Sequence, residues 1–180
     1  KKNIQINKIN LSEKFLEIVP EQAAVVATTG KCGRELFTLD DRKQHIYQVG
    51  SMGCAAPMAL GVALNNNKPV VALDGDGAAL MKLGAWATIG AEQPNNFIQI
   101  LLDNEVHDST GGQATVSPMI DFCGVAIACG YRNAWRCDSL DGFSEFLITI
   151  LVPLKIQIII AAILLCIECT KISFLNLFKT

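Results

Sequence analysis

Short, continuously apolar runs alternate with longer segments of helical periodicity along most of the chain. Three of these runs, Ala23–Thr28, Pro69–Asp74 and Phe97–Asp103, are dominated by Val, Ala, Ile and Leu. Strands of this kind are usually buried on both faces, as in parallel sheets covered by helices. The sequence therefore predicts an α/β fold, a doubly wound parallel sheet with helices on both faces.

The remaining elements are predicted from apolar spacing and from turn residues. Helices are expected over residues 11–19, 77–90, 119–130 and 139–150, and a glycine-rich turn leads into another helix between residues 50 and 64. Shorter strands are expected over residues 45–49 and 132–137. The segment that follows the strand Phe97–Asp103, from Asn104 to Ser117, is expected to be a polar loop.

Four polar or glycine-rich clusters follow predicted strands. They read TTGK from Thr28, GSMG from Gly50, GDGA from Gly75 and DNEVHD from Asp103. In doubly wound sheets, ligands bind beyond the carboxyl ends of the strands, where such clusters meet. Their convergence, more than any single cluster, predicts a ligand site at this edge of the sheet.

Asp76 and Asn104 lie at the ends of two successive predicted strands. Asp76 is flanked by Gly75 and Gly77, and glycines allow a ligand to approach the backbone closely. A carboxylate that faced a phosphate would repel it unless a cation lay between them, and Mg²⁺ takes oxygen ligands of this kind. The pair therefore predicts a magnesium site that holds a phosphate group, although Asp76 could instead only cap a helix.

The spacing of these residues resembles the motif of the thiamine-diphosphate-dependent decarboxylases. Gly75-Asp76-Gly77 is followed after 25 residues by Asp103-Asn104, where the family usually has a pair of Asn. The resemblance implies a thiamine-diphosphate-binding fold in which Asp76, Asn104 and the backbone carbonyl of Val106 bind Mg²⁺. It also implies that Gly75, Gly77 and Ala78 contact the diphosphate, the last two through their N–H groups.

The GSMG and TTG clusters match further parts of the family's cofactor site. The resemblance implies that the carbonyl of Gly50 contacts the aminopyrimidine, with Ser51 beside it. Met52 matches the bulky residue that holds the cofactor in its bent, reactive shape, although a turn with Met52 in the core is the alternative. Thr29 and Gly30 match a cofactor-side loop after the first strand.

Longer stretches resemble the phosphonopyruvate decarboxylases and, more weakly, the β subunits of sulfopyruvate decarboxylases. The stretches are ATTGKCGRELF, VGSMGCAAPMALGVALN, DGDGAALMKLGAWATIG and LLDNEVHDSTGGQ. The implied reaction is the decarboxylation of phosphonopyruvate to phosphonoacetaldehyde. Residues expected near the substrate are Lys31, Arg34, His107, Asp108 and Ser109, with His107 also as a catalytic proton relay. Lys31 and Arg34 could equally belong to a solvated helix face.

Enzymes of this family also need a Glu from a pyrimidine-binding domain, which this chain has no room to hold. The resemblance therefore implies a partner domain or subunit and an oligomer, and the chain alone should barely turn over. The alternative of a different class is a truncated, non-catalytic cofactor-binding protein. Glu105 stands where the family commonly has a small residue, often Gly.

The composition narrows the class of protein. A net charge of -2 without basic, aromatic-rich runs gives no indication of nucleic-acid binding. Seven cysteines at irregular spacing and no signal-peptide pattern favour reduced thiols in the cytoplasm. We expect residues 1–149 to form the cofactor-binding domain and residues 150–180 a last strand and an apolar tail. The apolar stretch Ile156–Ile167 is too short to span a membrane, so a membrane anchor is not expected.

Overall fold

The computed structural model describes residues 8–137, 139–151, 161–166 and 171–176 of the 180-residue chain. Its strands alternate with helices for most of the chain, as the sequence predicts. The strands are β1 Ala24–Ala27, β2 His45–Tyr47, β3 Val70–Gly75, β4 Phe97–Asp103, β5 Val106–His107, β6 Gln113–Ala114, β7 Asn133–Cys137, β8 Ala161–Cys166 and β9 Lys171–Asn176. The helices are α1 Lys8–Ile18, α2 Lys31–Leu39, α3 Ala55–Leu64, α4 Asp76–Met81, α5 Gly84–Glu92, α6 Phe122–Ala128 and α7 Leu140–Leu151, with a 3₁₀ turn at Ser117–Met119.

A seven-stranded sheet in the order β2-β1-β3-β4-β8-β7-β9 forms the centre of the fold. Its strands are parallel except for β9, which runs antiparallel to β7. In the register of the central strands, Ala72 of β3 lies opposite Val26 of β1 and Gln99 of β4. The chain order reverses direction across the sheet at β1 and β3, which is the arrangement that opens a crevice at the carboxyl ends.

Alternate residues of the central strands supply two apolar layers, one on each face of the sheet. Along β3, Val71 and Leu73 pack under α1, α2 and α7, whereas Val70 and Ala72 pack under α3, α5 and α6. Buried aromatic residues fill both layers, among them Phe15 and Phe143 on the first face. The two layers confirm the prediction of a doubly wound sheet with helices on both faces.

Three predicted elements differ in the structure. The helix expected over 77–90 is divided at Lys82 and Leu83 into α4 and α5. The helix expected over 119–130 begins only at Phe122, because the 3₁₀ turn precedes it. The expected polar loop contains a small antiparallel hairpin, in which Val106 pairs with Ala114 and His107 with Gln113.

The end of the chain is described only in part. Helix α7 runs through Leu151, and β8 and β9 join the main sheet. Much of the apolar stretch at 156–167 lies outside the described residues, and the division at residue 149 stays a prediction. Within the described ranges, no helix combines the length and apolar character needed to cross a membrane.

Candidate functional site

An open cleft lies at the carboxyl ends of β1, β3 and β4. It brings together all four residues of the TTGK cluster, all four of GDGA, four of the six in DNEVHD, and Met52 of GSMG. Gly50 and Ser51 of that fourth cluster are exposed and lie outside its wall, so their contact with a cofactor stays a prediction. The predicted site residues in the wall are Thr29, Gly30, Lys31, Met52, Gly75, Asp76, Gly77, Ala78, Asn104, Val106, His107, Asp108 and Ser109.

Two buried carboxylates at this edge accept hydrogen bonds from one short segment, Thr115–Ser117, which we call the strap. The Thr115 hydroxyl donates to Asp76 Oδ2 at 2.5 Å. The Ser117 hydroxyl donates to Asp103 Oδ2. Both carboxylates are almost fully buried, so each hydroxyl fixes the orientation of a side chain that has little freedom to move.

Burial raises the pKa of two carboxyl groups beside Asp76. For Asp74 burial raises the pKa to about 6, the hydrogen bond from the Gly75 N–H opposes the rise, and the charge of Asp76 adds to it. For Asp103 burial likewise raises the pKa to about 6, the Ser117 hydrogen bond lowers it, and the charge of Asp76 adds to the rise. Three carboxylates therefore concentrate negative charge at the strand ends, an environment that a divalent cation relieves.

Asp108 links Asn104 to Lys31 across the cleft. Lys31 Nζ donates to Asp108 Oδ2 at 2.7 Å, and Asn104 Nδ2 lies 3.4 Å from the same oxygen. The Oδ1 atom of Asn104 accepts a long hydrogen bond, 3.4 Å, from the N–H of Val106. A predicted metal ligand and a predicted substrate-binding cation thus share one carboxylate.

The backbone of Gly77 lies directly against His107 and Met52. A Cβ atom at residue 77 would stand 2.5 Å from His107 Cε1 and 3.4 Å from Met52 Cε. The turn that carries Met52 packs on the same helix, since a Cβ at Gly53 would stand 2.6 Å from the carbonyl oxygen of Ala78. Glycine at these positions therefore lets three segments of the chain meet at the cleft.

Glu105 has a left-handed backbone, with a φ of 62°. Its carbonyl accepts a hydrogen bond from the N–H of Thr115 at 2.8 Å, which ties the turn after β4 to the strap. L residues other than Asn and Asp rarely adopt this conformation, and Gly adopts it without cost. The backbone thus explains why Gly suits this position, independently of the carboxylate that Glu105 adds.

Arg34, also predicted near the substrate, lies in an adjoining open cleft. Its Nε donates to the carbonyl of Gly30 at 3.1 Å. The two clefts share Thr28, Thr29, Gly30, Met52 and Ser109 in their walls. Arg34 is therefore separated from Asp76 and Asn104 by the Thr29–Gly30 turn.

The donor set of the cleft suits Mg²⁺. Asp76, Asn104 and the carbonyl of Val106 would offer oxygen atoms only, which a hard cation prefers, and the three residues line one wall. Among the described residues there is no group of three or more His, Cys, Asp or Glu side chains placed to hold a metal ion. A cation here would thus bind one protein carboxylate and leave coordination positions for phosphate oxygens.

Three contributors to this site are not predicted from the sequence, namely Thr115, Ser117 and Asp74. Thr115 and Ser117 lie in the segment expected to be a polar loop, and Asp74 is in an apolar strand. No local pattern indicates the two hydroxyl residues, because Val116 is not extended and Ser117 begins the 3₁₀ turn, so their hydroxyl groups are oriented by the fold and not by strand alternation.

The sequence matches the family described as thiamine pyrophosphate enzyme, C-terminal TPP binding domain, over residues 28–151. It is 56% identical over 144 residues to a phosphonopyruvate decarboxylase from Streptomyces viridochromogenes, which covers 80% of this chain and 36% of that protein. It is 37% identical over 138 residues to a sulfopyruvate decarboxylase subunit beta from Methanothermobacter thermautotrophicus, which covers 77% of this chain and 74% of that protein.

A solved structure with the same fold is that of benzoylformate decarboxylase from Polynucleobacter necessarius. The superposition has a TM-score of 0.67 at 18% sequence identity and covers 92% of this chain and 34% of the other. The likeness supports the fold described above.

Proposed function

Because the chain belongs to the thiamine pyrophosphate enzymes, as their C-terminal TPP-binding domain, we propose that it is the cofactor-binding part of a phosphonopyruvate decarboxylase. The enzyme would convert phosphonopyruvate to phosphonoacetaldehyde and carbon dioxide. The observation that carries the proposal is the 56% identity to the Streptomyces enzyme together with a cleft that gathers the matching motifs. The chain spans 36% and 34% of the length of the two phosphonopyruvate decarboxylases it matches, so the activity is proposed for the whole enzyme.

Asp76, Asn104 and the carbonyl of Val106 would hold Mg²⁺, and the N–H groups of Gly77 and Ala78 would hold the diphosphate. When bound, the cofactor supplies the carbon that bonds to the substrate and accepts the electrons left as carbon dioxide departs. Thr29, Gly30 and Gly75 line the cleft where the rest of the cofactor would lie. Met52, in contact range of Gly77, would set its shape.

The substrate end of the cleft would be formed by Lys31, His107, Asp108 and Ser109. The Lys31 ammonium group is held by Asp108 at the rim, where it can meet an anionic substituent. His107 lies against Gly77 and can pass a proton to or from a group in the cleft. Arg34 would act from the adjoining cleft, on the far side of Gly30.

Turnover would require a pyrimidine-binding domain or subunit that places a Glu against the cofactor, and therefore an assembly of more than one such unit. The similarity to proteins named subunit beta supports a separate partner in this family. We place the enzyme in the cytoplasm, because its seven cysteines at irregular spacing indicate reduced thiols.

Sulfopyruvate is the second candidate substrate. The observation that favours sulfopyruvate is the extent of the match, since the aligned region covers 74% of the archaeal β subunit. Both substrates are 2-oxo acids with an anionic group on the third carbon, so the same cationic rim could serve either.

The test mixes the full chain with the pyrimidine-binding domain of a phosphonopyruvate decarboxylase, thiamine diphosphate and Mg²⁺. Carbon dioxide release is then followed from phosphonopyruvate, sulfopyruvate and pyruvate in parallel. We expect the fastest release from phosphonopyruvate, and only with the partner present. Faster release from sulfopyruvate would transfer the proposal to the second candidate, and cofactor binding without release from any substrate would indicate a non-catalytic protein.

Asp76→Ala provides the control for the metal assignment. It should abolish Mg²⁺-dependent binding of thiamine diphosphate in calorimetry, because it removes the only carboxylate assigned to the ion. Unchanged affinity in this variant would contradict the assignment of Asp76 and Asn104.

A further inference from the structure

The strap delivers a hydroxyl to the carboxylate that we assign to the metal. Thr115 is 39 residues from Asp76 along the chain, and its hydroxyl donates to Asp76 Oδ2 at 2.5 Å. Both side chains are buried, with Asp76 only 2% exposed and Thr115 9%. A buried hydrogen bond to a carboxylate of this length is among the stronger kinds of hydrogen bond in proteins.

The direction of the Thr115 hydroxyl is fixed by a second contact. The N–H of Ser117 donates to Thr115 Oγ1 at 3.3 Å, so this oxygen accepts one hydrogen bond and gives its single proton to Asp76. The N–H of Thr115 donates in turn to the carbonyl of Glu105. The hydroxyl therefore stays aimed at Asp76 Oδ2 by contacts on both sides of Thr115.

We propose that Thr115 is a positioning residue that makes Asp76 a one-oxygen ligand and thereby favours Mg²⁺ over Ca²⁺. The inference rests on the proposed function, which assigns Asp76 to the metal. A cation that bound both oxygens of Asp76 would share Oδ2 with the hydroxyl proton, whose partial positive charge would repel it. The cation is thus directed to the oxygen that Thr115 does not engage.

The preference follows from the coordination habits of the two ions. Mg²⁺ requires near-octahedral geometry and takes one oxygen from each carboxylate, whereas Ca²⁺ accepts six to eight ligands and often binds both oxygens of one carboxylate. A carboxylate limited to one oxygen suits the first ion and removes a favourable mode of binding from the second. Thr115 would act on metal choice without touching the metal.

Ser117 supplies a matched comparison. Its hydroxyl donates to a buried carboxylate in the same way, but that carboxylate belongs to Asp103, which is not among the assigned ligands. Removing either hydroxyl leaves one buried carboxylate with one hydrogen bond fewer. Only the Thr115 variant should change the balance between the two ions.

The experiment measures metal affinity in the full chain with thiamine diphosphate at a fixed, saturating concentration. Mn²⁺ serves as the probe, its free form is followed by electron paramagnetic resonance, and Mg²⁺ or Ca²⁺ displaces it. The variants are Thr115→Val, Thr115→Ser, Ser117→Ala and Asp76→Ala. Thermal unfolding of each variant establishes that it is folded, and Thr115→Ala replaces Thr115→Val if the valine does not fit.

We expect Thr115→Val to lower Mg²⁺ affinity about tenfold, as removal of a residue behind a metal ligand commonly does. Ca²⁺ affinity should fall less or rise, so that the Mg²⁺/Ca²⁺ affinity ratio drops, whereas Thr115→Ser and Ser117→Ala keep the ratio of the unmodified chain. An unchanged ratio in Thr115→Val, with binding abolished in Asp76→Ala, would overturn the role of Thr115 alone. Retained binding in Asp76→Ala would overturn the metal assignment itself.

Discussion

The backbone of Gly77 and the imidazole of His107 are in direct contact, and there is no room for a side chain between them. A Cβ at residue 77 would stand 2.5 Å from Cε1 and 2.6 Å from Nδ1 of the ring. Gly77→Ala should therefore push the ring away from its position in the cleft. We expect kcat/KM of the complete enzyme to fall about a hundredfold, because small misplacements of reacting groups have effects of this size.

Stability should change less than activity in Gly77→Ala, because the ring lies at the end of a side chain that can rotate. We expect a loss of no more than about 1–3 kcal/mol in urea unfolding. Gly61→Ala is the control, since Gly61 is exposed in α3 and an added Cβ meets nothing within 4 Å. It should gain about 0.5–1 kcal/mol and keep full activity. Full activity in Gly77→Ala would contradict the placement of His107.

Glu105→Gly should stabilise the protein. The left-handed backbone at this residue costs an L residue about 1–2 kcal/mol, from which the greater freedom of glycine in the unfolded chain subtracts. We expect a net gain of up to about 1 kcal/mol in the free energy of unfolding. Glu105→Gln removes the charge and keeps the backbone cost, so an equal gain in both variants would show that the charge, and not the backbone, is responsible.

Met52→Ala should reduce turnover much more than cofactor affinity. The side chain lines both clefts and is assigned to the shape of the cofactor, while the metal and diphosphate contacts lie elsewhere. A decrease in kcat of about a hundredfold with little change in the dissociation constant of thiamine diphosphate is expected. Met58→Ala on α3, which lines neither cleft, serves as the control. Equal losses of affinity and turnover would argue for a purely structural role.

Lys31→Gln should raise KM for phosphonopyruvate about tenfold or more, which corresponds to one charge-assisted hydrogen bond. Stability should change by less than about 1 kcal/mol, because the ion pair with Asp108 is half exposed. Lys43→Gln is the control, because it removes one positive charge at an exposed lysine that lines a different cleft. If both variants bind substrate as the unmodified enzyme does, Lys31 is not a substrate ligand.

His45 should make the protein less stable in mild acid. Its burial, followed by the charge of Arg42, lowers the pKa in the folded state, against the opposite effect of Asp40 and Asp41. Below the ordinary value of 6.5 the unfolded chain then binds the proton more readily than the folded protein does. The contribution of His45 to the free energy of unfolding should therefore fall as the pH drops below 6.5 and should stop falling below the lowered pKa, whereas Asp74 and Asp103, whose pKa is raised, change stability in the opposite direction.

Urea unfolding between pH 8 and pH 5 measures this effect, with His45→Gln as the comparison. The variant lacks the titrating group, so its free energy of unfolding should rise relative to that of the unmodified protein as the pH falls through this range. A difference between the two proteins that does not change with pH would contradict the role of His45.

The site residues at the strand ends could be predicted because the sequence features that indicate them are adjacent in the chain. A glycine-flanked acid after an apolar run marks Asp76, and the same reasoning places Asn104 one strand later, at the same edge of the sheet. The strap could not be predicted in this way, since the partner of Thr115 is 39 residues distant and only the folded hairpin brings the two together. The break at Lys82 and Leu83 cannot be predicted from the sequence, because the apolar spacing continues from α4 into α5.

The separation of Gly50 and Ser51 from the cleft has a similar cause. Their turn is anchored by Gly53 against Ala78, and this contact brings Met52 into the wall while the first two residues of the turn stay at the surface. Sequence spacing identifies such a turn, but tertiary packing decides which of its residues face the ligand.

The base and the tip of the hairpin between Val106 and Ala114 differ in how freely their residues can be substituted. Its base is held by the strap and by the turn at Glu105, where hydrogen bonds reach the strand ends. Its tip, Thr110–Gly112, is exposed and makes no such bonds to the carboxylates. Gly111 and Gly112 have positive φ angles of 131° and 74° and resist substitution, so Thr110 is the tip position that can be varied for a new substrate while the proposed metal-binding end keeps its geometry.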